Sequence, residues 1–295
     1  MGTTRKGILL AGGRGTRLAP STEVVSKQLL PVYDKPMVYY PLSVLMQAGI
    51  REVLVISTRR DLPLYGDLLG DGGRLGMTFS YAVQEAPRGL AEALVIAADF
   101  LAGGPSLLVL GDNILCGDGL PGLLRACDAE RAGATVLAAP VADPERYAVA
   151  EFDSRGRVLS LEEKPARPRS RHAVPGVYFY DSRAVGIARG LTPSPRGELE
   201  ITDLNRAYLE SGALTLRSLP ADVTWFDAGT EDSLVDAAVA IRDAQRRRRR
   251  AIACVEEIAW RQGWIGRQTL DAAARRMGGS AYGRHLARLA TEEAA

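Results

Sequence analysis

Disulfide chemistry has almost nothing to work with in this chain. Only three cysteines, Cys116, Cys127 and Cys254, occur in 295 residues, and their spacing matches neither a paired framework nor a metal-binding motif. An odd number of scattered thiols suits a reducing compartment, so the cytoplasm is the expected location. No apolar stretch reaches membrane-spanning length, and the polar start, Met1 to Lys6, lacks a signal-peptide pattern. Charge of one sign is not in excess either. Against 37 Lys and Arg stand 35 Asp and Glu, a formal net charge of +2, so no global field for nucleic acid is present. Histidine is reduced to two, His172 and His285. Neither lies near an acid or nucleophile motif, and both read as structural. With no G-x-S-x-G elbow and no histidine pair at metal-binding spacing, a covalent mechanism has no support.

What remains is an ordinary globular composition, 46% hydrophobic and 24% charged, enough for one large α/β domain with a smaller appendage. Short apolar runs alternate with helix-like segments. Ile8 to Ala11, Val53 to Ile56, Leu107 to Leu110 and Thr135 to Ala138 read as strands covered on both faces. Pro41 to Ala48, Gly89 to Phe100 and Leu120 to Ala129 read as the helices between them. Such βαβ alternation predicts an open, mainly parallel sheet with helices on both sides. The middle changes character: Val149 to Phe152, Val158 to Leu161 and Val177 to Tyr180, joined by turn-rich segments, suggest a more antiparallel section in or beside that sheet. Helix signals return at Ile201 to Glu210 and from Glu231 onward. The tail then reads as short helices at Val255 to Arg261, Thr269 to Arg276 and Gly283 to Ala290. The expected division is a main domain over residues 1–240 and a helical subdomain over 241–295. The run Arg246 to Arg250 suits a helix end by the dipole rule and reads first as solvated or as a subunit contact.

Chemistry is signalled at the end of the first strand. Gly12-Gly13-Arg14-Gly15-Thr16-Arg17-Leu18 lets the backbone approach a phosphate closely, with Arg14, Arg17 and Lys27 as cationic donors. A dinucleotide fingerprint fails, because counting from Gly13 its third glycine falls on Leu18. A P-loop fails for want of G-K-[ST]. Asp112 follows an apolar strand, the position where ligands collect in open α/β sheets.

At this point the sequence resembles a known family. Leu10 to Leu18 followed by Ser26-Lys27-Gln28-Leu29-Leu30-Pro31 is similar to the signature of the nucleotide-sugar pyrophosphorylases. Tyr33 to Met37 with Tyr39 to Ser43, Leu110 to Asn113, Leu161 to Pro165 and Gly197 to Asp203 look like the thymidylyltransferases acting on glucose 1-phosphate within it. The likeness runs through nearly the whole chain in the right order. It implies a Rossmann-like nucleotide-diphospho-sugar transferase fold, a homotetramer and dependence on Mg²⁺. It implies dTTP, or alternatively UTP, and a hexose 1-phosphate as substrates, with neither nucleic acid nor membrane as partner.

The resemblance also assigns roles. Arg17, Lys27 and Lys164 would carry catalysis by neutralising phosphate charge, and Asp112 with Asp227 would hold the metal. Leu10, Gly12, Gly13, Gly15, Thr16, Arg17, Gln28, Gln84, Pro87, Gly89 and Leu90 would surround the nucleotide. The Gln84 amide would meet the base edge and Pro87 its face. Asn113, Tyr147, Ala148, Glu163, Lys164, Val174 and Tyr178 would line the sugar phosphate. Glu257, Ile258 and Arg261 match a second nucleotide site at a subunit interface. Three departures accompany the match. Ala148 replaces a common glycine, Pro175 a common threonine, and Cys116 with Asp118 a common tyrosine and histidine. A catalytically silent nucleotide-sugar-binding subunit is the alternative from another class; joint retention of Arg17, Asp112, Lys164 and Asp227 argues against it.

Overall fold

A computed structural model describes residues 4–13 and 15–291. Arg14, one of the expected phosphate donors, lies outside the described residues. The first half alternates strand and helix: β1 Lys6–Leu10, a two-residue hairpin β2 Pro31–Val32 and β3 Lys35–Pro36, α1 Tyr39–Gln47, β4 Glu52–Ser57, α2 Leu62–Leu69 and β5 Thr78–Val83. There follow α3 Glu92–Ile96, α4 Ala98–Leu101, β6 Ser106–Leu110, β7 Asn113–Cys116, α5 Leu120–Ala129 and β8 Ala134–Pro140. The second half holds β9 Ala148–Phe152, β10 Val158–Glu163, β11 His172–Ala173, β12 Val177–Tyr180, α6 Ala184–Gly190, α7 Ile201–Glu210, β13 Leu214–Ser218 and β14 Thr224–Asp227. Four helices end it: α8 Glu231–Arg248, α9 Val255–Arg261, α10 Arg267–Met277 and α11 Ala281–Thr291. No helix among the described residues is long and apolar enough to cross a membrane.

The expected α/β sheet is present as a mixed sheet of ten strands in the order β10-β9-β11-β8-β12-β6-β1-β4-β5, with β13 also paired to β8. Strands β5, β4, β1 and β6 run parallel, as the continuous apolar runs predict. From β12 outward the pairing along this order is antiparallel, and only the added β13 runs parallel to its partner β8. The turn-rich middle is therefore the far half of the same sheet rather than a separate insertion. Alternate residues of each central strand serve opposite faces. Leu9, Val53, Val55, Leu107 and Val109 pack on one side with α1 and Tyr65. Ile8, Leu10, Leu54, Ile56 and Leu108 pack on the other with residues of α3, α6 and α7. Full burial of each such side chain is worth roughly 1.5–3 kcal/mol.

Registers decide where the site lies. Leu10 pairs with both Ile56 and Leu110, so β1, β4 and β6 end level. The glycine loop after β1, Gln84 after β5 and Asp112 after β6 then emerge at one edge. The start of β12 reaches the same edge, because β12 is antiparallel to β6 and Leu110 N–H donates to the Gly176 carbonyl at 2.9 Å.

Two elements depart from expectation. Gly89 to Phe100 is not one helix: the backbone at Gly89 is left-handed, at φ 100°, and the helical part begins at Glu92 and breaks at Ala97. Helix α8 runs unbroken across residue 240. It is capped by Thr230 and Ser233, has Glu231 and Asp232 in its first turn and arginines in its last. Beyond it, α9 to α11 build a small core of their own around Cys254, Leu270, Leu286 and Leu289.

The far half of the sheet is anchored by Asp181, which follows β12. Its carboxylate accepts from Gly133 N–H at 2.8 Å, Tyr208 Oη at 2.8 Å, and Arg183 through N–H at 3.0 Å and Nε at 2.9 Å. Burial pushes its acidity toward the neutral form, but the bonds from Arg183, Tyr208 and the two backbone amides outweigh it and hold the pKa below the ordinary value. Asp181→Ala leaves these donors unpaired and is expected to cost about 1–3 kcal/mol in urea unfolding at neutral pH. Because the folded-state pKa is depressed, this stabilisation is present above the unfolded value and lost on acidification. The gap between wild type and variant should therefore narrow as pH falls through the carboxylate range.

Candidate active site

The loop after β1 turns on glycines whose backbone only glycine adopts easily, Gly13 at φ 106° and Gly15 at φ 60°. It leads into a single 3₁₀ turn, Thr16–Leu18. Gln28 Nε2 donates to the Gly12 carbonyl at 3.1 Å and fixes the loop against the turn Lys27–Leu29. Gly13, Thr16, Arg60, Gln84 and Pro87 then line one cavity of about 490 Å³. Of the expected nucleotide residues, Gly13, Thr16, Gln84 and Pro87 are thus brought to one cavity, while Leu10, Gly12, Gly15, Arg17, Gln28, Gly89 and Leu90 do not line it. Gln84 is 9% exposed, and its Nε2 donates to Glu92 at 2.8 Å and to the Gly89 carbonyl at 3.3 Å. Its carbonyl oxygen lies toward Gly12, where an added Cβ would stand 3.2 Å from it. Leu90 is half-buried against the core on the α3 side.

The two aspartates arrive by different routes. Asp112 follows β6. Asp227 ends β14, which pairs antiparallel with β7 so that Asp227 stands opposite Asn113. Ala228 N–H meets the Asp112 carbonyl at 3.4 Å, closing the junction. Lys27 Nζ forms an ion pair with Asp112. Arg17 lies over the Asp227 strand end, since a Cβ on Gly229 would stand 3.0 Å from its Nη2.

Electrostatics separate the two acids. At Asp112 burial favours the neutral acid, but the Lys27 charge and hydrogen bond win and the pKa is lowered. At Asp227 burial, followed by the Asp112 charge, prevails over Lys27, Arg17 and Arg146, and the pKa is raised. The two carboxylates thus share one set of cations but titrate in opposite directions.

Asn113 organises the next wall. Its Oδ1 accepts from Gly176 N–H at 2.8 Å and from Trp225 Nε1 at 2.7 Å, and its Nδ2 donates to Asp112 at 3.1 Å. Tyr147 stands edge-on to Trp225, ring centroids 5.1 Å apart. Ala148 opens β9 opposite Glu163 at the end of β10, and its carbonyl accepts from Val174 N–H at 2.9 Å. Tyr178 is buried on β12, its pKa pushed up by burial and by the charges of Glu163 and Asp112. Glu163 accepts from Thr202 Oγ1 at 2.6 Å. Lys164, held at φ 42° with its N–H on the Tyr147 carbonyl at 3.0 Å, carries Nζ 3.7 Å from Glu163.

Residues read from sequence without a role also stand here. Trp225 orients Asn113, and Arg196 bridges Glu163 at 3.9 Å and Glu200 at 2.9 Å. Both sit in or beside matched blocks, which was the available signal. Glu257, Ile258 and Arg261 are elsewhere, lining a separate cavity of about 580 Å³ with Cys116, Asp118 and Arg248. Asp118 is paired there, with Arg248 Nη1 3.2 Å from its carboxylate.

Known proteins share this layout. Residues 6–244 match the nucleotidyl transferase family profile. A glucose-1-phosphate thymidylyltransferase of Xanthomonas campestris pv. campestris (strain B100) is 55% identical over 288 residues, 98% of each chain. One from Mycobacterium tuberculosis (strain ATCC 25618 / H37Rv) is 50% identical over 284 residues, covering 96% of this chain and 98% of its own. A crystal structure described as a glucose-1-phosphate thymidylyltransferase from Bacillus anthracis, in complex with sucrose, superposes with a TM-score of 0.75 at 40% identity, over 81% of this chain and 96% of that one. UDP-glucose pyrophosphorylase bound to UDP-glucose shares the fold at 22% identity, with a TM-score of 0.71 over 82% of this chain and all of that one.

The Gln84 loop is pinned to the segment before α7 by Leu199 N–H to the Arg88 carbonyl, 2.8 Å, and Ala91 N–H to the Leu199 carbonyl, 3.1 Å. A Cβ at Gly89 would collide with the Leu199 backbone at a left-handed φ. Gly89→Ala is expected to cost more than about 1 kcal/mol in thermal unfolding and to weaken nucleotide binding measured by calorimetry, because Gln84 shifts with the loop. An unchanged affinity would detach the loop from the nucleotide wall.

Proposed function

The chain belongs to the nucleotidyl transferase family, and on that premise we propose that it joins dTTP to α-D-glucose 1-phosphate or a related hexose 1-phosphate, releasing pyrophosphate and forming a dTDP-sugar. The observation that carries this is the meeting of Asp112, Asp227, Lys27 and Arg17 where the parallel strands end, beside a glycine loop on one side and the Glu163–Lys164 wall on the other.

The reaction is an in-line displacement. An oxygen of the sugar phosphate attacks the α-phosphorus of the triphosphate, and pyrophosphate leaves on the opposite side. Such chemistry is mostly positioning and charge neutralisation. Lys164 holds the sugar's phosphate and Glu163 accepts from sugar hydroxyls. Arg17 and Lys27 neutralise charge on the triphosphate, and the glycine-loop amides face its oxygens. Gln84 addresses the base. The sequence carries no nucleophile motif to hold the nucleotide covalently, so both substrates bind together. Asp112 and Asp227 fit a hard divalent cation, because they supply carboxylate oxygens from two neighbouring strand ends. Mg²⁺ held there supplies further neutralisation of phosphate charge.

Around this centre we place the enzyme in the cytoplasm, where its three free thiols are compatible with reducing conditions. We take it as a homotetramer, consistent with Val235 and Val239 exposed on α8 at 61% and 40%. The tail of residues 241–295 is then the regulatory and subunit-contact region beside the 1–240 transferase domain, with helix α8 spanning the division between them. Glu257, Ile258 and Arg261 border its cavity.

Three measurements test this reading. Pyrophosphate release, followed with dTTP and UTP against a panel of sugar 1-phosphates, should favour dTTP. Asp112→Asn and Asp227→Asn should each fold and lose turnover by about 10²-fold or more, a few kcal/mol at the transition state. Full activity of Asp227→Asn at ordinary magnesium would remove the acids from the mechanism.

Sugar choice should respond to Ala148, which pairs with Glu163 across β9 and β10 and whose methyl would meet a sugar held by Glu163. One methyl is worth about 1–3 kcal/mol, so the effect is partial. Ala148→Gly is expected to change the ratio of kcat/KM values between glucose 1-phosphate and its deoxy, amino or epimeric analogues. Ratios equal within about twofold would leave Ala148 without influence on sugar choice.

Feedback should be weakened, since Asp118 brings a carboxylate to a cavity lined by Arg125, Arg248, Arg250 and Arg261 and pairs with one of them, Arg248. dTDP-sugar should therefore inhibit only competitively against dTTP. Strong noncompetitive inhibition would overturn this.

A further inference from the structure

Three side chains unused by the reaction meet between α9 and α11. Cys254 Sγ, a carboxylate oxygen of Glu257 and a ring nitrogen of His285 lie within 4.8 Å of one another. In sequence they show no metal-binding spacing, because the third ligand comes from a different helix. Cys254 immediately precedes α9, and Glu257 is in its first turn, so both project from one end of that helix. Helix α11, packed on the tail core through Leu286 and Leu289, brings His285 to the same point. Cys254 is 2% exposed and Glu257 4%, while His285 is half-buried. Cys254 and Glu257 also line the 580 Å³ cavity, so one side of the cluster is open to it.

We propose that Cys254, Glu257 and His285 form a binding site for one zinc-class divalent ion, with the fourth position open to the cavity.

The donor set is one sulfur, one nitrogen and one oxygen. That mixture selects a borderline metal such as Zn²⁺ over Mg²⁺ or Ca²⁺, which take oxygen alone. A thiolate and a carboxylate cancel the charge of the dication, which favours so buried a place. Without metal, burial pushes the Cys254 thiol up to about 12, so it stays protonated. Binding replaces that proton, which passes to solvent. His285 Nε2, now 2.7 Å from Glu257 Oε2, would turn its lone pair to the metal and carry its proton on Nδ1 instead. The exposed Arg288, whose Nη2 stands 3.1 Å from Nδ1, must swing aside to allow this. Glu257 keeps its other oxygen on Arg261 Nε at 2.7 Å, which holds the carboxylate in place for the ion. The consequence is a clasp between α9 and α11 on the wall of the tail cavity. It is independent of the transfer reaction and of the acids at the active site.

Cobalt is the probe, because thiolate ligation gives a charge-transfer absorption that carboxylates cannot. The full chain, stripped with chelator and titrated with Co²⁺, should bind one equivalent with a near-ultraviolet thiolate-to-cobalt band, bleached on adding Zn²⁺. The band should be unchanged in Asp227→Asn, which separates it from metal held at the active site. Cys116→Ser and Cys127→Ser should retain it, and Cys254→Ser should lose it. His285→Gln keeps a hydrogen-bonding amide toward Glu257. It should fold, melt like wild type in chelator, and bind about tenfold or more weakly. A wild-type protein without the band would overturn the site. So would a band that follows Cys116 rather than Cys254, or one undiminished in folded His285→Gln.

Discussion

Two carboxylates held together where neither is comfortable form the constraint on which this structure turns. Asp112 and Asp227 come from segments more than a hundred residues apart, and the fold sets them next to each other in a half-buried place. Lys27 compensates one of them and Arg17 leans over the other's strand. Such an arrangement costs stability and is kept only where function needs it. Level strand ends in the parallel half bring in the glycine loop and Asp112, and the small β7–β14 ladder delivers Asp227. The two-sided apolar core is what keeps those strand ends level.

The antiparallel half of the sheet supplies the second wall. Because β12 runs against β6, its start returns to the edge that β6 leaves, and Asn113 ties Gly176 and Trp225 together there. The β9–β10 pair then presents Ala148 opposite Glu163, with Lys164 in a left-handed turn just beyond. On the proposed reading, nucleotide and sugar phosphate face each other across the two acids, with parallel strands serving one substrate and antiparallel strands the other. The helical tail forms its own core, and its ionisable cluster of Cys254, Glu257 and His285 faces away from this chemistry.

A good part of this could be read directly from the chain. The apolar runs of β1, β4, β6 and β8, and helices α5, α7 and α9, follow from periodicity and breakers because local pattern and tertiary burial agree there. The glycine loop, Asp112 at a strand end and the Glu163–Lys164 block were legible as motifs. Strands β5, β7, β13 and β14 were not, since they are short or carry mixed polarity and owe their extended form to partners distant in sequence. The break at Ala97 was hidden because the chain there is apolar and helix-forming, while the constraint at Gly89 comes from Leu199.

By itself, then, the sequence determined the α/β class, the family and the residue types proposed to handle phosphate, because these rest on local pattern and on matched blocks. Tertiary structure alone decided which charges neighbour which. It gave Asp227 rather than Asp112 the raised pKa, Arg248 to Asp118, Arg196 to Glu163, and His285 to a cysteine and a glutamate on another helix. The physical reason is that a charge's environment is set by what the fold brings within a few ångströms of it. Strand register and helix packing govern that distance, whereas spacing along the chain does not.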